Sequence, residues 1–309
     1  MSATEISLNK QKVKSVGKQG DRRLFSAIGY VVLTLFTVLC LLPFILVLSS
    51  SLTNEETIVV KGYQFFPADF SVEAFKILFK YPQEMINAYV VTIGVTVAGT
   101  ALGLFLTSMT AYALSRKDFK WRNHFSFFFF FTTLFNGGLV PWYMLITKTL
   151  HMTNTPLSLI IPMVLNVFYI IVMKSFMSSI PEAIVESAKI DGAGDFRIYA
   201  QLILPLAKPA LATIGLFLAL AYWNDWYNAM LFVNDEKLMP LQYYLYKMLG
   251  NMDGMRKAMM GAGAVVTTSI PTESLKMAMT VVATGPILLA YPFVQRYFVQ
   301  GLTIGAVKG

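Results

Sequence analysis

Long apolar runs dominate this chain and constrain its fold most strongly. The first, from Leu24 to Leu48, contains no charged residue and exceeds the roughly 18 consecutive apolar residues that indicate a membrane-spanning helix. Similar runs recur further along, and only 14% of the residues are charged while 56% are hydrophobic. Since a lipid-exposed backbone must satisfy its hydrogen bonds internally, we predict an all-α polytopic membrane protein.

The pattern predicts six transmembrane helices. In the second, Gly99 and Gly103 form a GxxxG motif that serves either packing within the chain or a contact with another subunit. In the third, Asn136-Gly137-Gly138 either exposes backbone to a cavity or caps the outer end of the helix. The predicted spans cover residues 24–48, 88–114, 125–146, 157–176, 211–232 and 277–298.

Two basic segments predict the orientation. Residues 1–23 are basic, and a short loop carries Arg116, Lys117, Lys120 and Arg122, so the positive-inside rule places both in the cytoplasm. The net charge of +8 is therefore explained by the membrane topology and does not indicate nucleic-acid binding. The first apolar run is longer than the core of a cleavable signal peptide, which predicts an uncleaved helix. Six crossings place both termini in the cytoplasm and residues 53–85 and 233–276 outside, the latter with short helices such as 241–249.

The polar segment 181–210 lies between the fourth and fifth spans, on the cytoplasmic side. Ser179, Pro181 and Glu182 predict a helix start closed by a capping box. This helix is expected to end near Ile190, because Asp191-Gly192 offers a left-handed turn. A second short helix follows, which Pro205 and Pro209 are expected to stop.

The fifth span contains a cluster of polar and aromatic residues. A carboxylate inside a span is costly unless it faces protein or water. The cluster is either a wall of a solute path, suited to hydroxyl-rich solutes, or an outer belt of aromatic side chains with a helix-end cap. The candidate path residues are Tyr222, Trp223, Asn224 and Asp225, with Asn136 from the third span.

The sequence shows no constellation for catalysis or metal binding. Cys40 is the single cysteine, and His124 and His151 stand alone. Gly17-Lys18 lacks the remaining residues of a phosphate-binding loop, so the chain is predicted to hydrolyse no ATP and to hold no cofactor. The spans also lack the paired charges of an ion relay. If the chain transports a solute, the energy is expected to come from a partner.

The polar segment resembles the EAA loop of permease subunits of binding-protein-dependent ABC importers. Glu186-Ser187-Ala188 is followed at the family's spacing by Gly192 and by Leu202-Ile203-Leu204-Pro205, with Ser187 and Leu202 as small departures. Trp223-Asn224-Asp225, Pro240-Leu241-Gln242 and the ending 295–309 resemble the carbohydrate-uptake branch, in particular the second permease of maltose-type importers. The block 135–141 resembles permeases of aldouronate and complex-oligosaccharide importers.

This resemblance implies a division of labour among several chains. The loop would dock on an ATPase, and the C-terminal tail 299–309 would reach the ATPase dimer interface. The implied partners are a second, similar permease, an ATPase dimer that binds ATP and magnesium, an extracytoplasmic sugar-binding protein and the lipid of a bacterial cytoplasmic membrane. The implied coupling residues are Glu186, Ala188, Asp191, Gly192, Leu204 and Pro205, and the implied tail contacts are Gly301, Leu302, Thr303, Gly305 and Lys308.

The expected organisation is a basic tail, 1–23, and one membrane domain, 24–309, of the type I importer kind. The alternative from another class is a secondary carrier that moves small polar solutes alone. A membrane enzyme is a weaker alternative, because it would need catalytic residues clustered at one interface.

Overall fold

The computed structural model describes residues 19–261 and 271–306. These residues form helices joined by short loops, apart from one isolated β-bridge between Thr53 and Phe70. The first half contains α1 (Gln19–Ser51), α2 (Glu55–Lys61), α3 (Glu73–Leu78), α4 (Pro82–Ser115), α5 (Arg122–Leu134), α6 (Leu139–Met144), α7 (Leu157–Ile160) and α8 (Val167–Ser178). The second half contains α9 (Glu182–Ile190), α10 (Asp195–Ile198), α11 (Leu204–Leu206), α12 (Lys208–Trp223), α13 (Tyr227–Phe232), α14 (Leu241–Gly261) and α15 (Thr272–Ala306).

Several of the predicted spans are broken rather than straight. Within the described residues, Leu24–Ser51 and Pro82–Ser115 are each long and apolar enough to cross a membrane. Three helix pairs pass the same test together, with bends of 115° between Arg122–Leu134 and Leu139–Thr149, 53° between Leu157–Met163 and Val167–Ser178, and 82° between Asp195–Leu206 and Lys208–Trp223. Up to five crossings are present on this criterion, and the predicted sixth span lies within α15.

The predicted fifth span, 211–232, needs correction. α12 begins earlier, with Pro209 in its first turn, and ends at Trp223, and the chain becomes helical again only at Tyr227. Proline is tolerated there because the first backbone N–H groups of a helix need no partner. Asp225 therefore lies in a helix break and not inside a continuous helix.

The centre of the molecule is α4, which packs along α12 and α8. The GxxxG motif forms this packing within the chain, as one of its two interpretations predicted. A Cβ on Gly99 would come within 2.4 Å of the Tyr222 ring, and one on Gly103 would come within 3.0 Å of the Val164 carbonyl oxygen. At Gly99 only glycine permits so close an approach, and at Gly103 a side chain would be tightly packed.

The end of α4 near Pro82 carries a second cluster of buried side chains. Leu78, Met85, Leu241 and Leu275 form its centre, so α3, α4, α14 and α15 are held together there. The Thr92 hydroxyl accepts the backbone N–H of Leu241 at 2.7 Å and so caps α14. The segment 233–276, predicted to contain short helices, has a 3₁₀ helix at Glu236–Leu238 and then one helix of 21 residues, followed, after residues that the structure does not describe, by the start of α15.

Glu55 fastens α2 to the beginning of α15. Its carboxylate is buried and accepts the backbone N–H groups of Thr272, Glu273 and Ser274 at 3.1, 2.9 and 2.8 Å, and the Ser274 hydroxyl at 2.8 Å. The first N–H groups of a helix have no partner within it, and their partial positive charge favours an anion. This side chain therefore caps a helix more than 200 residues away in sequence.

We expect Glu55→Ala to lower the apparent melting temperature of the detergent-solubilised protein by several degrees. The change removes the carboxylate that accepts three backbone N–H groups at the start of α15, two of them buried, at a cost of about 2 kcal/mol or more. A thermal scan followed by size-exclusion chromatography measures it. Glu56→Ala is the matched control, since Glu56 is exposed and its side chain makes no hydrogen bond or ion pair with the described residues. Equal shifts in the two variants would contradict the capping role.

Candidate functional site

The segment 181–210 folds as a helical hairpin, which we call the hairpin. Its first helix, α9, ends at Ile190 as predicted, and Gly192 adopts φ +77°, a conformation that favours glycine. The second arm runs from Asp195 to Leu206 through a π-helical turn at Tyr199–Ile203 and bends by 82° at Ala207. Pro205 does not stop this arm, because it follows the π turn and occupies the first turn of α11.

The predicted capping box at the start of the hairpin is wrong. The Ser179 hydroxyl donates to the Phe176 carbonyl at 2.7 Å and so belongs to the end of α8. Pro181 immediately precedes α9, and no side chain caps it. Glu182 instead accepts a hydrogen bond from Lys117 at 2.5 Å, which lowers the pKa of its carboxyl.

The hairpin is bound to the rest of the protein mainly by apolar packing. Val185 and Ala188 of α9 are buried, as are Ile198 and Ile203 of the second arm. They pack in one cluster with Ala111 at the end of α4 and with Met173 and Met177 of α8. Burying a side chain the size of valine or isoleucine contributes about 1.5 to 3 kcal/mol. The hairpin and the spans should therefore move as one body.

Two polar contacts fix its direction. The Tyr199 hydroxyl lies 2.7 Å from the Ser108 hydroxyl in a buried hydrogen bond to α4. At the end of α9, Lys189 donates to Asp118 at 2.5 Å, which lowers the pKa of the Asp118 carboxyl and raises that of Lys189. Lys189 also lies 3.8 Å from Asp195, and among the described residues it forms no ion pair with Glu186 on its own helix.

The remaining face of the hairpin is exposed. Of the predicted coupling residues, Glu186, Asp191, Gly192 and Pro205 are exposed, while Ala188 is buried and Leu204 half-buried. The predicted coupling residues did not include two large apolar side chains on this face, Ile190 with 86% of its surface exposed and Phe196 with 66%. Ile190 follows the buried Ala188 by two positions, about 200° around the helix, so helical periodicity alone could have placed it on the open face.

A second group of functional candidates lies at two helix breaks. Asn136 accepts the N–H of Gly138 at 2.8 Å, and Gly138 adopts φ +88° where α6 begins. This break opens a cavity of about 570 Å³. The cavity is lined by Asn136, Gly137, Gly138, Leu139, Pro141, Trp142, Leu145 and Tyr227. The structure thus brings Asn136 close to the break after α12.

The four path candidates from the fifth span divide into two pairs. Tyr222 and Trp223 are buried; the Tyr222 hydroxyl donates to the Ile160 carbonyl at 2.8 Å and the Trp223 indole N–H to the Ala283 carbonyl at 3.0 Å. Both join helices together. Asn224 is exposed, and Asp225 accepts the backbone and side-chain N–H groups of Asn228 at 3.1 and 3.0 Å.

The comparisons with known proteins agree with this architecture. No family model matches the chain. It is 40% identical to the Polygalacturonan/rhamnogalacturonan transport system permease protein YtcP of Bacillus subtilis (strain 168), over 93% of this chain and 99% of that protein. It is 36% identical to Protein LplC of the same organism, over 93% and 96% of the two chains. The chain belongs to the carbohydrate permeases of ABC transport systems.

A solved structure supports the same assignment of this permease. A chain of a bacterial ABC transporter involved in the import of the acidic polysaccharide alginate matches with a TM-score of 0.75 and 31% identity, covering 91% of this chain and 99% of that one. The family inferred from the EAA-like spacing is therefore confirmed. Permease subunits of this family are generally non-catalytic, and the described residues contain no group of side chains that could hold a metal ion.

Proposed function

We propose that this permease forms half of a sugar path and couples to an ATPase dimer through the hairpin. The observation that carries the coupling is the pattern of burial on the hairpin. Its inner face packs on α4 and α8, while Ile190, Phe196 and Glu186 are all exposed. Exposed apolar side chains on a polar, water-facing segment favour a protein partner. The coupling residues are Glu186, Asp191 and Gly192 at the surface, with Ala188, Leu204 and Pro205 shaping the hairpin.

The proposed topology has six crossings, with both termini and the hairpin in the cytoplasm. The crossings are α1, α4, the pair α5 and α6, the pair α7 and α8, the pair α12 and α13, and α15. The basic loop 116–122 supports this orientation, because it contacts the hairpin through Lys117 and Asp118. The membrane is a bacterial cytoplasmic membrane, in accordance with the bacterial origin of the relatives.

The C-terminal tail is proposed to touch the ATPase as well. Its residues Gly301, Leu302, Thr303 and Gly305 continue the helix α15, whereas Lys308 lies outside the described residues. Because Glu55 and the apolar cluster hold the other end of α15, the helix links the outer segments to this tail.

The proposed path is lined by Asn136, Asn224 and Asp225. Non-helical backbone at membrane depth is tolerated only where it is buried in protein or faces a water-filled cavity. The three residues lie at two helix breaks, and one cavity is lined by Asn136 at the first break and by Tyr227 directly after the second. Tyr222 and Trp223 support the wall from behind. A second permease closes the path, an external binding protein delivers the sugar, and ATP with magnesium is bound by the ATPase.

Reconstitution tests this proposal. The chain, copurified with its partner permease and ATPase, is placed in proteoliposomes with the loaded binding protein. We expect uptake that requires ATP, stops with vanadate and is accompanied by stimulated ATP hydrolysis. Uptake by the chain alone, driven by an ion gradient without an ATPase, would instead establish a secondary carrier.

A further inference from the structure

An aromatic platform stands beside the break that follows α12. The rings of Trp226 and Tyr246 are stacked, with centroids 4.7 Å apart and an interplanar angle of 25°. Tyr227 meets Trp226 edge-on at 5.9 Å. Trp226 is 38% exposed and Tyr246 50% exposed, so the stacked pair retains open surface. Two rings that already support each other lose little conformational entropy when a third ring stacks on them.

Hydrogen-bonding groups flank the platform. Gln242 donates to the side-chain oxygen of Asn224 at 3.3 Å, and the Asn224 amide donates to the Leu220 carbonyl at 2.8 Å. Tyr227 contacts Trp226 of the platform and also lines the cavity that Asn136 and Trp142 line. Aromatic faces next to amides match the C–H faces and the hydroxyl groups of a pyranose ring.

The charges around this region are few. The lining of the cavity contains no lysine or arginine. Lys247, next to Tyr246 in the chain, lies 3.7 Å from Glu236 in a separate cleft that Glu84 also lines. Asp225 directs its carboxylate to Asn228. A substrate carboxylate therefore finds no cationic partner among these lining residues.

We propose that Trp226, Tyr246, Tyr227 and Trp142, with the amides of Asn224, Gln242 and Asn136, form a pyranose-stacking subsite that binds neutral and acidic sugar rings alike. This inference rests on the proposed function and deepens it. It assigns this permease the recognition of ring faces and hydroxyls. Selection by charge is left to the partner permease or to the binding protein.

The test uses saturation-transfer NMR on the complex of both permeases and the ATPase in nanodiscs. The probes are α-1,4-linked galactotriose and trigalacturonate, which differ only in oxidation at C6. We expect millimolar binding of both, within about threefold of each other, with the strongest transfer to ring C–H protons. Trp226→Ala and Tyr246→Ala should each lose the signal of both sugars. Trp121→Ala is the matched control, because Trp121 is an exposed tryptophan at the loop 116–122.

A variant designed to bind the acidic sugar more tightly tests the role of charge in the subsite. Gln242→Arg should strengthen trigalacturonate binding relative to galactotriose binding by roughly tenfold, since only the acid gains a charged partner. The subsite is overturned if neither sugar gives transfer, if Trp226→Ala retains the signal, or if the unaltered protein separates the two sugars by more than tenfold. ATP hydrolysis stimulated by the binding protein is measured on the same samples. If the unaltered complex shows no stimulated ATP hydrolysis, the proposed function is refuted. If it shows stimulated hydrolysis but no saturation transfer to either sugar, only the subsite is refuted.

Discussion

Gly99→Ala is expected to destabilise this permease by about 3 kcal/mol and to reduce the yield of folded protein. The added Cβ would lie 2.4 Å from Cζ of Tyr222 and 2.6 Å from one of its Cε atoms, far inside van der Waals contact. The ring cannot retreat easily, because it is buried and its hydroxyl donates to the Ile160 carbonyl. Overfilling a packed interior costs about 1–3 kcal/mol, and more when a hydrogen bond is also lost.

Thermal stability in detergent measures this effect, and the same helix provides the control. A Cβ on Gly94 meets nothing within 4 Å, so Gly94→Ala should be neutral or stabilising by up to about 1 kcal/mol. Adding Tyr222→Ala to Gly99→Ala removes the clashing ring, so the double variant should be less destabilised than the sum of the two changes. Equal melting of Gly99→Ala and Gly94→Ala would show that α4 and α12 do not meet as described.

The elements predicted well from the sequence are those specified by nearby residues. The apolar runs became helices, and Gly192 ends α9 where a left-handed turn was expected. These signals are local, because periodicity and turn propensity act within a few residues. The spacing around Glu186 likewise predicts the family, and the relatives confirm it.

The elements predicted poorly depend on residues far apart in the chain. No proline or glycine marks the end of α12 at Trp223, whose indole is bonded to Ala283, 60 residues away. Glu182 looked like a local cap but pairs with Lys117, 65 residues earlier. Glu55 caps a helix 219 residues later. Such contacts follow from the packing of helices, and a local pattern carries no information about them.

The path candidates illustrate the same limit. Their residue types indicated a polar aromatic wall, but types alone do not say which side chains face inward. Tyr222 and Trp223 bury their polar atoms against backbone carbonyls, while Trp226 and Tyr246 stack at the surface. Because the helix breaks after Trp223, the periodicity of a straight helix does not predict which residues beyond it are exposed.

Gly192→Pro is expected to lower the stimulated rate of ATP hydrolysis at least tenfold, while the permease still inserts into the membrane. Proline holds φ near −65°, whereas Gly192 requires +77°, and the N–H that Gly192 donates to the Lys189 carbonyl at 3.0 Å would be lost. The turn must then rearrange, which moves Ile190 and Phe196 relative to the spans. Gly192→Ala should cause a partial loss, since a Cβ in the left-handed region costs about 1–2 kcal/mol.

Gly194→Ala separates a change of turn geometry from a general loss of flexibility. Gly194 has φ −72° and open space around its Cβ position, so alanine should leave coupling unchanged. Glu186→Arg tests the surface itself: the side chain is exposed and is not in a hydrogen bond or ion pair with any described residue, so the fold should persist while the contact charge is reversed. Both Gly192→Pro and Glu186→Arg are measured in proteoliposomes as ATP hydrolysis with and without loaded binding protein. Stimulation that survives both changes would mean that the ATPase docks elsewhere on this permease, because neither the shape nor the charge of the hairpin would then matter to it.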